Sequence, residues 1–337
     1  MLRVILVRLL GAIPVLLLVT MAIFGLLRFA PGDAADLLLP EDATDEQVAE
    51  ARARWGLDQP VWVQYGQFLV NIARLDLGRS YRYHEDVFDL IGQRLPATLE
   101  LSLLAILIAI VVAVPLGILA ALRKGKLTDS LVSIFAISGV SAPSFWIGIL
   151  LVLYVSGELN LLPSSGRLPY GVSVPVITGF VTFDALIAGR LDVFWTAIRH
   201  LLLPAITLAL AMFGIIARIT RSSIIDAGQE EYVYTAVAKG LDTQSIVRRH
   251  LLPNAAIPIT TIIGLELGVL ISGSIVVEVV FSWPGLGTLL FQAVSVRDTP
   301  LTTGIVVVYT LLFIVLNLLI DILYILIDPR LRSNRMS

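Results

Sequence analysis

The first candidates for chemistry in this sequence are three of the acidic residues inside its long apolar stretches. Glu266 lies midway along one stretch, Glu278 lies near the end of the same stretch, and Asp321 lies in another. A carboxyl group in lipid is costly, so it normally faces a cavity, a polar partner or a passing solute. For Glu266, a water-filled path and a hydrogen bond to a neighbouring helix both fit. Asp321 follows Asn317 by four residues, which favours a hydrogen bond between packed helices.

Other reactive groups are sparse. The chain has no Cys, which excludes disulfides, thiolate metal sites and Cys nucleophiles, and its three His are scattered without metal-ligand spacing. An ATP-binding Walker A loop requires G-x-x-x-x-G-K-[ST]. Here Gly125-Lys126 is followed by Leu127, and Ala120 stands where the first Gly is required. The sequence therefore predicts neither an enzyme nor a cofactor or metal site.

The apolar stretches predict an all-α, polytopic membrane protein. Hydrophobic residues make up 57% of the 337 residues and charged residues 15%, against about 45–50% and 25% in soluble domains. Lipid offers no partner to backbone polar groups, so stretches of roughly 20 apolar residues span it as helices. Six such stretches are predicted to be transmembrane helices: Leu9–Leu27, Ala97–Leu122, Leu131–Val155, Leu201–Ala217, Ala256–Val280 and Gly304–Ile327.

The charges orient these helices. With six spans, the pieces 1–8, 123–130, 218–255 and 328–337 share one side and hold more than half of the 24 Lys and Arg, including all three Lys. This asymmetry predicts that both termini are cytoplasmic. The segment Val172–Ala188 carries Pro175, Gly179 and Asp184 and is predicted to lie in an outer loop, because a seventh span would turn the basic stretches after 218 outward. The first stretch is too long for a signal-peptide core and is expected to be retained.

The predicted organisation has three parts. Residues 1–27 are the cytoplasmic N-terminus and first transmembrane helix, and residues 28–96 are an outer, extracytoplasmic region. Residues 97–337 are a five-helix core with an outer loop at 156–200 and a cytoplasmic loop at 218–254. In the 28–96 region, Thr44 is predicted to cap a helix, and an aromatic-rich helix is predicted near Val61–Ala73. This region fits a folded cap and a docking surface equally well.

The cytoplasmic loop has the pattern of two short helices joined by a turn. Glu230 to Lys239 suits a helix with acids in its first turn. Gly240 fits the position after the helix, where a left-handed conformation costs a glycine little. Asp242 or Thr243 can cap a second helix. The predicted apolar face consists of Val233, Val237 and Leu241. A surface loop that merely links two spans fits the same residues.

This loop resembles one found in the membrane-spanning permeases of ABC importers. The pattern of that family is E-A-A, three residues, G, nine residues, I-x-L-P. Here Tyr234-Thr235-Ala236, Gly240 and His250–Pro253 occupy its positions, with the Glu and the Ile replaced. The stretch from Glu231 to Leu241 is similar to the peptide-transporter branch. Further blocks similar to that branch are Phe29–Asp33, Leu75–Ser80, Leu162–Arg167, Arg218–Ser223, Phe281–Gly287 and Asp328–Arg330.

The resemblance implies a type I ABC importer-like permease in the cell membrane, closest to the first of two permease subunits of dipeptide or oligopeptide importers. Nickel and glutathione importers share this branch, so a nickel chelate or glutathione is an alternative cargo. The implied partners are a second homologous permease, two ATP-binding subunits that hydrolyse ATP, and an extracytoplasmic substrate-binding protein. Nucleic acid is not among them. The residues expected to couple to the ATPase are Glu231, Thr235, Ala236, Lys239, Gly240 and Leu241.

A path or gate is expected along the fifth span. Glu266 could meet the ammonium group of a peptide there, and Glu278 is expected at a gate, at a binding-protein contact or as an interfacial anchor. The residues assigned to this path or gate are Glu266, Ser272, Glu278, Phe281 and Trp283. Gly264 and Gly268 form a G-x-x-x-G pattern, which favours the interface with the second permease and leaves internal packing open.

Pro143 is expected to kink the third predicted span, Leu131–Val155.

An ion-coupled secondary transporter is the competing class of protein. Such a transporter would show inverted repeats and clustered polar groups inside its spans, and the sequence shows neither.

Overall fold

The computed structural model describes residues 2–29, 44, 47 and 58–327, and these residues form helices joined by connections, the longest of which among them runs from 159 to 180. Two short π-helical turns interrupt them, at Val152–Glu158 and Val247–Leu251. The α-helices are α1 Leu2–Phe29, α2 Val61–Ala73, α3 Val87–Leu122, α4 Leu127–Ser141, α5 Ser144–Leu151, α6 Val181–Ile187, α7 Leu191–Gly228, α8 Glu231–Ala238, α9 Thr243–Ile246, α10 Leu252–Val280, α11 Leu286–Ser295 and α12 Thr299–Ile327.

Four stretches of helix are long and apolar enough to cross a membrane, and the bent pair α4–α5 makes a fifth if counted as one span. The four are Val87–Leu122, Leu191–Gly228, Thr243–Leu270 and Thr299–Ile320. Helix α1 contains a further, shorter apolar segment, Leu10–Leu26. The prediction of an all-helical, polytopic membrane fold is therefore confirmed. The count of six spans and the cytoplasmic termini stay predictions.

Two helices extend well beyond their predicted apolar spans. Helix α3 begins at Val87, and α7 runs for 38 residues, from Leu191 to Gly228. At 1.5 Å per residue α7 is about 57 Å long, whereas the hydrocarbon core is about 30 Å thick. Hydropathy detects only the apolar part of a helix, so a prediction based on it misses polar helix ends. The predicted loop at 218–254 accordingly becomes irregular only after Gly228.

The third predicted span is broken at Pro143. Helix α4 ends at Ser141, Ala142 is extended, and Pro143 precedes α5. The two helices meet at a bend of 102°. Proline has no backbone N–H and disfavours the helical conformation in the residue before it. The predicted kink is thus confirmed as a complete break.

The chain divides into two compact units, Met1–Pro96 with Gly285–Ile314, and Ala97–Pro284 with Val315–Ser337. In the first unit, Asp298 is fully buried just before α12. Its carboxylate accepts hydrogen bonds from Ser80 Oγ at 2.5 Å, from the Arg82 N–H at 3.1 Å and from the Leu301 N–H at 3.2 Å. Asp298 therefore caps α12 and fixes the segment around Ser80 to it.

The predicted cap at Thr44 is also found. The Gln47 N–H donates to Thr44 Oγ1 at 3.4 Å, and the Thr44 N–H donates to Gln47 Oε1 at 3.0 Å. This reciprocal pair is a capping box. The residues between them, together with the family-like blocks at 30–33 and 328–330, lie outside the described residues.

In the second unit, the region Val172–Ala188 contains a single helix, α6, of only seven residues. Asp184 is buried there and accepts hydrogen bonds from Thr178 Oγ1 at 2.7 Å and from the N–H groups of Ile177, Thr178 and Gly179 at 2.8–3.2 Å. Burial alone would raise the pKa of Asp184, but these hydrogen bonds outweigh it and lower that pKa. A seven-residue helix is too short to span a bilayer, in keeping with the loop prediction.

Gly264 serves packing within the chain. A Cβ atom at this position would lie 2.7 Å from the Ile320 side chain of α12. The glycine thus lets α10 and α12 approach closely. The sequence favoured an interface with a second permease at Gly264. That preference was wrong, because the Ile320 side chain already packs against this glycine.

Gly117 marks a second close approach and supports a prediction. A Cβ atom at Gly117 of α3 would lie 2.7 Å from the backbone oxygen of Ala217 and 2.7 Å from Thr220 Cβ of α7. We expect Gly117→Ala to destabilise the protein by about 1–3 kcal/mol, because backbone atoms cannot yield as side chains do. The measurement is the thermal unfolding midpoint of the purified protein in detergent.

Gly92→Ala is the matched control for that substitution. Gly92 lies in the same helix α3, and a Cβ atom there would meet nothing within 4 Å. Its midpoint should equal or exceed that of the unmodified protein. Equal midpoints for Gly117→Ala and Gly92→Ala would contradict the close contact between α3 and α7.

Candidate coupling site and transport path

The loop after α7 forms the helix–turn–helix that the sequence predicts. Helix α8 runs from Glu231 to Ala238, and Lys239 follows it. Gly240 has a φ of +75°, in the left-handed region that favours glycine, and its N–H donates to the Val237 oxygen at 2.9 Å. The turn therefore depends on a glycine at position 240.

Asp242 caps the next helix. Its side chain accepts a hydrogen bond from the Ser245 N–H at 3.2 Å. Hydrogen bonding from Ser245 lowers the pKa of Asp242 below its ordinary value. A lowered pKa means that the cap stabilises the loop above the pKa of the unfolded chain and loses this effect as the pH falls. Between the two predicted caps, Asp242 and Thr243, the structure selects Asp242.

The predicted apolar face of α8 was partly wrong. Val233 and Ala236 are buried, but Val237 is 58% exposed. The predicted residues are spaced i, i+4 and i+8 and the buried pair i and i+3, so the centre of the buried face is turned by about 70° from the predicted one. Val233 packs in a cluster of apolar residues that belong to α3, α7, the π turn and α10: Ala121, Ile224, Ala227, Leu251, Ala255 and Ile259.

The outward face of α8 combines apolar and charged groups. Tyr234 is 66% exposed, next to Val237. Six residues were predicted to couple to a partner. Of these, Glu231, Thr235, Lys239 and Gly240 are exposed, Leu241 is half-buried, and Ala236 is buried. Tyr234 replaces the Glu of the E-A-A motif, and no pattern in the sequence indicated that its side chain would face outward.

Glu266 is buried on α10. Its carboxyl group forms no hydrogen bond within the part of the chain that the structure describes. The predicted alternative of a hydrogen bond to a neighbouring helix is therefore not seen among those residues. The side chains of Ser272 and Asp321 lie outside the described set.

Glu278 has a different environment. It is fully buried, and its Oε1 accepts hydrogen bonds from Thr98 Oγ1 at 2.8 Å and from Ser274 Oγ at 3.2 Å. Along α10, Glu266 and Glu278 are about 18 Å apart. The structure therefore does not bring the two carboxyl groups together, and Glu278 links α10 to α3.

Trp283 anchors the turn after α10. It is 1% exposed, and its indole N–H donates to the Ala97 oxygen at 2.9 Å. Phe281 is buried beside it, and its oxygen accepts a hydrogen bond from the Gly166 N–H at 3.0 Å. The guanidinium of Arg167 lies 5.7 Å from the centre of the Trp283 ring, within cation–π range.

Arg167 also forms a buried ion pair that sequence reasoning missed. Its guanidinium donates to a carboxylate oxygen of Glu100 and, at 2.8 Å, to the Gly179 oxygen. The other oxygen of Glu100 accepts hydrogen bonds from the Thr182 N–H at 2.8 Å and from its hydroxyl at 2.5 Å. The position of Glu100 inside the predicted span from Ala97 to Leu122 was the one available signal.

A cavity of about 650 Å³ lies beside the start of α7. Arg199 and the buried His200 contribute to its wall, and His200 Nδ1 lies 2.9 Å from the Ser165 oxygen. The remaining lining residues are Ser156, Asn160, Leu161, Leu162, Pro163, Ser164, Ser165, Leu168, Pro169, Tyr170 and Thr196.

Long apolar helices, a polar helix–turn–helix on one connection and a buried carboxyl group within a span define a multi-pass membrane transport subunit. Family comparison agrees with this class. The profile of the binding-protein-dependent transport system inner membrane component matches residues 113–333, and the profile of the N-terminal part of such components matches residues 1–102. The chain belongs to this family and is a permease component of the cell membrane.

Individual relatives span almost the whole chain. The dipeptide transport system permease protein DppB of Alkalihalophilus pseudofirmus is 39% identical over 326 residues, 96% of this chain and 98% of that protein. The di/tripeptide transport system permease protein DppB of Pseudomonas aeruginosa is 42% identical, covering 96% of each chain. The probable D,D-dipeptide transport system permease protein DdpB of Escherichia coli is 41% identical, covering 91% of each.

A solved structure shares the fold. A chain of the inward-facing MetNI methionine ABC transporter superposes with a TM-score of 0.51 at 16% sequence identity. The superposition covers 72% of this chain and 97% of that chain. This likeness supports the type I importer-like fold and carries nothing about cargo.

Proposed function

We propose that this chain is one of two membrane subunits of an ATP-driven importer of di- or oligopeptides. It spans the membrane six times with both termini in the cytoplasm and forms half of the translocation pathway. A second permease forms the other half, two separate subunits hydrolyse ATP, and an extracytoplasmic binding protein delivers the peptide. The names of the relatives, which describe dipeptide and di/tripeptide transport, support this cargo.

The helix–turn–helix of α8 and α9 is the observation that carries the proposal. It is anchored by Val233 and Ala236 and presents Tyr234 and Val237 outward. An apolar pair flanked by exposed Glu231 and Lys239 is the kind of surface that a groove of a protein partner can cover. We assign this surface, with Thr235, Gly240 and Leu241, to contact with an ATPase subunit.

Rigid attachment explains how such a contact transmits motion. Helix α8 follows α7 directly, and α9 leads through the π turn into α10. A displacement of the loop by ATPase closure therefore acts on two long helices at once, as a rigid-body change.

We also assign Glu266, Ser272, Glu278, Phe281 and Trp283 to the transport path and its gate. The hydrogen bonds of Glu278 and Trp283 and the burial of Phe281 favour a role in holding the end of α10 in place. Glu266 has no such partner in the described chain and is the candidate for contact with a peptide ammonium group or with water in the path.

Glu266→Gln tests that assignment. We expect peptide uptake to fall about tenfold, since a hydrogen bond to a charged group contributes about 1.5–3 kcal/mol. Glu266→Asp should restore part of the rate because it restores the charge. Unchanged uptake in Glu266→Gln would remove this residue from the path, provided that the variant is present in the membrane at the unmodified level.

The proposed function is tested by uptake into proteoliposomes that contain both permeases, both ATPase subunits and the binding protein. When ATP is supplied on the side of the membrane that holds the ATPase subunits, labelled dipeptide should accumulate on that side. A proton gradient should not change the rate of uptake. Uptake that follows the proton gradient and ignores ATP would contradict the importer class. Uptake of glutathione or of a nickel chelate in place of dipeptide would support the same class of importer with a different cargo.

A further inference from the structure

Helix α2 packs on α1 through aromatic side chains. The Tyr65 hydroxyl lies 3.1 Å from Thr20 Oγ1 and donates to the Leu17 oxygen at 3.1 Å. The centre of the Phe24 ring lies 5.4 Å from that of Tyr65 and 5.8 Å from that of Phe68. These contacts fix where along α1 the helix α2 lies.

That position is inside the membrane zone. Leu17 lies at the middle of the apolar stretch of α1, and Thr20 and Phe24 lie in its second half. With the N-terminus in the cytoplasm, as proposed above, this half lies in the outer leaflet. Helix α2 has 13 residues and no charge. At about 20 Å it is too short to span the hydrocarbon core.

The remaining surface of α2 has two different faces. Gln64, Gln67 and Asn71 form a polar stripe at i, i+3 and i+7, with Gln67 Nε2 donating to Asn71 Oδ1 at 2.9 Å. About 120° away on the helix lies an apolar face that the described residues leave uncovered. That face consists of Trp62, 76% exposed, Val63, 46% exposed, and Val70, 43% exposed.

We propose that α2 is an interfacial helix, with its Trp62–Val63–Val70 face in the lipid of the outer leaflet and its glutamine stripe toward water. An uncharged helix with separate apolar and polar faces partitions to the bilayer interface, where tryptophan is enriched. Lipid is the occupant rather than a protein because α1 exposes Leu18 and Met21 at the same level. This inference rests on the proposed topology.

Spin labels distinguish the two faces. The chain has no native Cys, so Val70→Cys and Gln67→Cys can each carry a single nitroxide in the permease of the complete importer, assembled with cysteine-free partners in lipid bilayers. At position 70 we expect the collision rate with oxygen to exceed that with a water-soluble nickel complex several-fold. At position 67, on the same helix, we expect the reverse ratio.

Three outcomes overturn the assignment. Low collision rates with both reagents at position 70 would mean that a protein covers the apolar face. A high rate with the nickel complex there would place the face in water. An oxygen-dominated ratio at position 67 would put the polar stripe in lipid as well. Any of these leaves the proposed function intact if the labelled importer still takes up dipeptide.

The topology is checked separately at Arg74, which is exposed directly after α2. A membrane-impermeant maleimide added outside sealed cells should label Arg74→Cys. Labelling only after the cytoplasmic side is opened would show that the proposed topology fails, and with it the assignment of α2 to the outer leaflet.

Discussion

We expect ATP-driven uptake to be lost in Gly240→Val, whereas Gly125→Val should transport at close to the unmodified rate. Gly240 and Gly125 have nearly the same backbone geometry, with φ of +75° and +77°, and a Cβ atom at either position meets nothing within 4 Å. Each substitution therefore introduces a similar strain, about 1–2 kcal/mol for a residue with a side chain in the left-handed region. The two positions differ in what the turn supports.

At Gly240 the strain falls on the turn that joins α8 to α9. Relaxing it displaces the exposed Tyr234 and Val237 from the geometry that the proposed ATPase contact requires. The measurements are dipeptide uptake and stimulation of ATP hydrolysis by the loaded binding protein, both in the reconstituted importer. Equal losses of uptake in Gly240→Val and Gly125→Val would show that backbone strain in general, and not the turn at Gly240, causes the loss. Full uptake in Gly240→Val would remove the loop from the mechanism.

We expect Arg167→Leu to destabilise the protein by about 3–5 kcal/mol, because it leaves the carboxylate of Glu100 buried without its cation. The side chains of Arg167 and Glu100 are only 15% and 5% exposed. Removing Arg167 also frees the segment near Gly179 from its hydrogen bond. We expect a lower thermal midpoint in detergent and faster proteolysis of the chain between 160 and 190.

A matched control is available on the same connection. Arg190 pairs with Asp192 at 2.8 Å, but both side chains are at least half exposed, and exposed ion pairs contribute little. Arg190→Leu should leave the midpoint unchanged. The double variant Arg167→Leu/Glu100→Leu should recover most of the loss, because neither charge is then left unpaired. A midpoint for Arg167→Leu equal to that of Arg190→Leu would refute the role of the buried pair.

Local chemistry made some features predictable from the sequence. Gly240 and Asp242 were identified because a left-handed turn and a helix cap each require particular residue types. Pro143 was identified because proline cannot continue a helix. Features that depend on tertiary packing were not accessible. The outward face of α8 is decided by the cluster around Val233, and the partner of Gly264 is Ile320, 56 residues away in the chain.

Helix bounds failed for a related reason. Hydropathy locates the uninterrupted apolar part of α7, from about Leu201 to Ala217, but the helix continues on both sides with polar residues. The ion pair of Glu100 and Arg167 joins residues 67 positions apart, and no local pattern links them.

The length of α7 has a mechanical consequence. One end lies beside the cavity lined by Thr196 and His200, and the other leads directly into α8. The part of α7 from Pro204 to Gly228 is about 36 Å long, so a tilt of about 5° about Pro204 moves its far end by about 3 Å. Pro204 interrupts the backbone hydrogen bonds of α7 near the cavity end, so the helix can bend there. A small rotation about this point would convert a displacement of the loop after α7 into a change in the width of the cavity.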